Sequence, residues 1–77
     1  MVNYTDHAKK LTEIADLIER FKFRIIEIER SFEMTNWIFF TIEDRKKAET
    51  RLQNRIENIR YIIGRLEKYY TKKAKEI

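Results

Sequence analysis

In the first half of the chain, Tyr4, His7, Leu11, Ile14, Ile18, Phe21, Ile25, Ile28 and Phe32 recur at alternating spacings of three and four. Those are the a and d positions of a heptad, the seam that a helix presents to a neighbouring helix. A second seam of the same kind runs through Leu52, Ile56, Ile59, Ile63, Leu66 and Tyr70. It is out of phase with the first, because Phe32 and Ile56 are not separated by a whole number of heptads. One continuous helix would therefore carry a broken stripe, whereas a chain folded back on itself could lay one seam on the other.

The antiparallel register that matches the seams over most of their length sets His7 beside Tyr70, Leu11 beside Leu66 and Ile14 beside Ile63. It continues with Ile18 beside Ile59, Phe21 beside Ile56 and Ile25 beside Leu52. Its turn centres between Ile38 and Phe39. In this register Ile28 and Phe32 face Glu49 and Arg45, so the tip end of the first seam lacks an apolar partner in its own hairpin. Thr41 has the chemistry of an N-cap, and Glu43 and Asp44 complement the positive end of the helix dipole behind it. Thr35 and Asn36 are suited to ending the first helix. The expected elements are a helix at about 5–34, an apolar turn at about 35–41 and a helix at about 42–74, together one domain spanning 1–77. The alternative is a longer first helix that turns at Glu43–Lys47.

The apolar stripe is wider than one seam needs. Ala8, Ala15 and Leu17 flank the first seam, and Ala48, Ile62 and Tyr69 flank the second. A face of that width is what a helix presents inside a three- or four-helix bundle. The fold class expected is therefore all-α, a long antiparallel helical hairpin of coiled-coil type that dimerises into a four-helix bundle. A further apolar surplus gathers at the tip, in Phe23, Ile26, Met34, Trp37, Ile38, Phe39 and Phe40. These residues are expected to close the bundle or its dimer contact. The alternatives for them are a docking surface for another protein and shallow insertion into a membrane.

Size and composition bear on the same conclusion. A chain of 77 residues buries only about 60 % of the surface it exposes when unfolded. Without cysteine it has no disulfide to compensate, and no Cys/His cluster offers a structural zinc site. Oligomerisation is the remaining route to stability. The absence of proline and the single glycine, Gly64, favour long helices. The lack of cysteine and the surplus of Ile, Glu, Lys and Arg lean towards a thermophilic source. Met1–Lys10 has no apolar signal-peptide core, and no run of residues is apolar for the roughly 18–20 positions that a bilayer requires. A cytoplasmic protein is expected.

With one histidine, one serine and no cysteine, the chain has too few nucleophiles and bases to suggest an enzyme. No catalytic, cofactor-binding or metal-binding residue is expected, and His7 reads as an imidazole stacked near Tyr70. The net charge of +4 permits attraction to polyanions. Lys47, Arg51, Arg55, Arg65 and Lys72 share one broad side of the second helix and could follow a phosphate backbone without reading sequence. Glu49, Glu57 and Glu67 interleave with them, however, and charges beside a seam ordinarily serve solubility and pairing. The leading expectation is a non-enzymatic protein-protein interaction module, a small homodimeric adaptor or regulator. Nucleic-acid binding is the alternative, and membrane contact is not expected.

Overall fold

The structure, a computed structural model, describes residues 4–76. The side chain of Tyr4, first in the expected seam, lies outside the described residues, as do residues 1–3 and Ile77. Two helices, α1 (Tyr4–Met34) and α2 (Ile42–Ala74), pack against each other as a hairpin. They are joined by a short loop in which Trp37–Phe39 form one 3-10 turn. The alternative with a longer first helix is excluded, because α1 stops at Met34.

Side chains define both helix ends at the turn. At the start of α2, the Thr41 hydroxyl accepts from Asp44 N–H at 3.0 Å and Thr41 N–H donates to the Asp44 carboxylate at 3.2 Å. This reciprocal capping box satisfies two of the backbone groups that a helix terminus leaves open. At the end of α1, no glycine and no cation are present to quiet the last carbonyls. The Thr35 hydroxyl donates to Ser31 C=O at 2.8 Å instead, and Trp37 Nε1 donates to Phe32 C=O at 3.1 Å.

The register differs from the expected one by about one heptad. The groove that holds Phe32 is shared with Leu52 and Ile56, not with Arg45. Ile28 shares a groove with Arg55, and Ala15 and Ile18 share one with Glu67 and Tyr70. At the open end, His7 neighbours Lys73 and Glu76, so the expected stacking of His7 on Tyr70 does not form. The offset also lengthens the molecule: its extent of 61 Å exceeds the roughly 50 Å of a 33-residue helix. The physical reason is that sliding antiparallel heptads by seven residues keeps every a and d position on the seam. The slide then brings Leu52 and Ile56 beside Ile28 and Phe32, which the other register left facing charge. In return, the first turn and a half of α2, from Ile42 to Lys47, projects past the body of α1 and is exposed throughout.

The resulting core is thin. Among the described residues only Ile18, Ile56 and Ile63 are buried, at 7 %, 3 % and 7 % exposure. The remaining seam residues are half-buried, and Tyr70 is exposed. No ion pair joins the two helices among the described residues. The three that form, Glu19–Lys22, Arg24–Glu27 and Lys73–Glu76, join residues three apart in sequence and are exposed or, at Lys73, half-buried; exposed pairs of this kind contribute little. Apolar contact along one seam therefore holds the hairpin closed.

Gly64 sits inside α2, and a Cβ built on it would meet nothing within 4 Å. Glycine in a helix interior costs about 0.5–1 kcal/mol relative to alanine. Gly64→Ala should therefore raise the melting temperature by roughly 4–8 °C, the shift that about 1 kcal/mol produces in a domain of this size. Thermal denaturation followed by circular dichroism measures it.

Candidate functional site: an apolar tip and two charged sides

The 3-10 turn splits the four-residue apolar run at the tip: Trp37 turns inward, Phe40 packs on it while staying half exposed, and Ile38 and Phe39 turn outward. Asn36 sets the turn, its side-chain oxygen accepting from Ile38 N–H at 3.3 Å, and Phe40 N–H closes it onto Trp37 C=O at 3.0 Å. Trp37 is half-buried, with its ring centroid 4.8 Å from that of Phe32 and 5.4 Å from that of Phe40. The Arg45 guanidinium lies over the indole at 5.8 Å. Trp37 thus ties the end of α1, the loop and the start of α2 together, with Phe40 packed edge-on against it. Ile38 and Phe39 point the other way, at 81 % and 83 % exposure.

Around that outward pair the structure gathers Met34, the last residue of α1, and Ile42, the first of α2, at 77 % and 78 % exposure. Ile42 was not among the tip residues expected from sequence. Its one signal was adjacency to the Trp37–Phe40 run across the capping Thr41. Phe23 and Ile26, both exposed, lie on α1 two to three turns back from Met34. By helical geometry Phe23 and Met34 face almost directly away from α2, with Ile26 beside them. Glu27 and Arg30 stand between Phe23 and Met34 on that face, so the apolar surface left open is two patches, Phe23 with Ile26 on the outer side of α1 and Met34, Ile38, Phe39 and Ile42 at the tip.

All five cations singled out on α2, Lys47, Arg51, Arg55, Arg65 and Lys72, are exposed. At 3.6 residues per turn they fall within an arc of about 100°, while Glu49, Glu57 and Glu67 are rotated about 110–170° from its centre. The charges that alternate along the sequence are thus separated around the helix. The grooves agree with this geometry. Lys47 and Arg51 border one with Thr35, Trp37, Phe40 and Asp44, and Arg55 borders another with Arg24, Glu27, Ile28 and Ser31. Glu67 lies across the seam, in a groove with Ala15, Glu19 and Lys22, and Arg60 lies with Glu29 and Glu33.

The open end of the hairpin carries mixed charge. His7 is half-buried there, and its Nε2 is buried without a hydrogen-bond partner among the described residues. Lys73 Nζ donates to the Glu76 carboxylate at 3.3 Å, and that bond and charge hold the ammonium above its usual range. No group of three or more His, Cys, Asp or Glu side chains that could hold a metal occurs among the described residues, and no described helix is long and apolar enough to cross a membrane. No family model, curated protein or solved structure matches this chain.

Proposed function

We propose that the chain is a non-enzymatic helical interaction module whose hairpin pairs with a second copy, the apolar tip forming the centre of the contact. The observation that carries this reading is the mismatch between core and surface. Among the described residues three side chains are buried, while Phe23, Ile26, Met34, Ile38, Phe39 and Ile42 all stand at half exposure or more. A two-helix hairpin of this size has little stability of its own. Covering the apolar tip is the most direct way to add some, since each apolar side chain removed from water contributes roughly 1.5–3 kcal/mol. A four-helix arrangement of two hairpins would also use the apolar width beside each seam. As a dimer of rods with exposed charged sides, the protein would serve as an adaptor or regulator and not as a catalyst.

The double variant Ile38→Ser/Phe39→Ser tests the contact. Both side chains are solvent-exposed in the single hairpin, so helicity at high protein concentration should be retained. The dimer dissociation constant, read by sedimentation equilibrium, should weaken by at least about a hundredfold, since each of the two copies loses two apolar anchors of about 1.5 kcal/mol each. An unchanged dissociation constant would remove the tip from the interface.

A further inference from the structure

We infer that the open side of α2 formed by Lys47, Arg51, Arg55, Arg65 and Lys72 is a binding surface for the phosphate backbone of a nucleic acid. Three independent features converge on it. Between Lys47 and Lys73 the three carboxylates of α2 all lie outside the arc that holds these cations, although they alternate with them in sequence. Among the described residues, none of the five cations is engaged in an ion pair. The carboxylate nearest to them on α1, Glu27 in the groove of Arg55, is already paired with Arg24 at 3.9 Å. Asp44 shares the groove of Lys47 and Arg51 and offsets part of their charge at that end; further along α2 the cations outnumber the carboxylates on this side, in contrast to the opposite side, where Arg60 and Lys22 sit among Glu29, Glu33, Glu19 and Glu67.

Shape and neighbouring chemistry select the polyanion. From Lys47 to Lys72 the stripe runs about 37 Å along a straight helix, close to one turn of a duplex at about 34–36 Å. Tyr61 and Tyr69 lie within or beside it, exposed, each with a cation over its ring: Arg65 at 6.0 Å and Lys73 at 5.7 Å. Aromatic rings among cations suit bases and sugars beside phosphates. An anionic membrane fits less well. The most exposed apolar side chains, Met34, Ile38, Phe39 and Ile42, stand at the end of the rod, so inserting the tip into a bilayer would tilt the stripe away from its surface. Contacts of this type carry no base readout, and the surface should bind without sequence preference.

The test is fluorescence anisotropy of the intact chain with a labelled mixed-sequence duplex two turns long and a single strand of the same length, across a salt series. Two triple variants carry the same loss of charge: Arg51→Gln/Arg55→Gln/Arg65→Gln on the stripe, and Lys22→Gln/Lys46→Gln/Arg60→Gln on the opposite side. The stripe variant should lose at least tenfold in affinity and lower the slope of log K against log salt by about 2–3, while the opposite variant keeps most of both. The wild-type slope on each probe counts the phosphate contacts, since each contributes about 0.9 for a duplex and about 0.7 for a single strand, and the relative affinity of the two probes separates the sources. Equal losses in the two variants would overturn the assignment, because net charge alone would then explain binding. So would the absence of binding to either probe at low salt, or binding confined to vesicles of anionic lipid.

Discussion

Replacing Ile56 by alanine should abolish the folded hairpin at micromolar concentration. Ile56 is the most buried residue described, at 3 % exposure, and it borders the groove that also holds Phe32 and Leu52. Truncating a buried isoleucine to alanine costs about 2–5 kcal/mol, the transfer term plus the cavity left behind. The core of so small a domain rarely supplies more than about 3–5 kcal/mol in total, so this one change consumes most of it. Far-UV circular dichroism should show a melting curve without a folded baseline, or one displaced by tens of degrees. Tyr61→Ala, at an exposed position on the same helix, should stay within about 0.5 kcal/mol of wild type. Similar effects for the two variants would mean that the seam does not carry the fold.

Trp37→Ala should produce the second largest loss, about 2–3 kcal/mol, even though its side chain is only half-buried. The indole donates the hydrogen bond that satisfies Phe32 C=O at the end of α1, it packs on Phe32 and Phe40, and it carries Arg45 on its face. A hydrogen bond contributes about 1 kcal/mol net and each aromatic contact about 0.5–1.5 kcal/mol beyond its area. Phe39→Ala, two residues away and facing outward, should instead weaken the dimer dissociation constant and leave the surroundings of Trp37 within its own hairpin as they are. Chemical denaturation of Trp37→Ala measures the first effect and sedimentation equilibrium of Phe39→Ala the second. Because Trp37 is the sole tryptophan, its fluorescence gives a further readout: emission to the blue of the unfolded chain, with partial protection from a soluble quencher. Loss of that blue emission in folded Phe39→Ala would contradict an inward Trp37 and an outward Phe39.

The helices were legible in the sequence because their signals are local. Heptad spacing fixes which side chains share a face, and Thr41 with Asp44 fixes where α2 begins. The register was not legible from spacing, since a slip of one heptad returns every seam position to the seam. What decides it is the demand of Ile28 and Phe32 for apolar neighbours, visible in the sequence as a defect of the other register. The inward turn of Trp37 was hidden for a different reason: four consecutive apolar residues carry no period from which to read direction. The basic side was obscured in the opposite way, because Glu49, Glu57 and Glu67 interrupt it along the chain but not around the helix.

In the proposed dimer this hairpin is half of the folded unit, and a second copy covers its apolar tip. Sedimentation equilibrium on the wild-type chain, with helicity recorded over the same dilution series, decides the matter. Twice the chain mass of 9.6 kDa is expected at micromolar concentration, with dissociation and loss of helicity falling together on dilution. A species of single-chain mass that keeps its full helicity through that range would rule the dimer out.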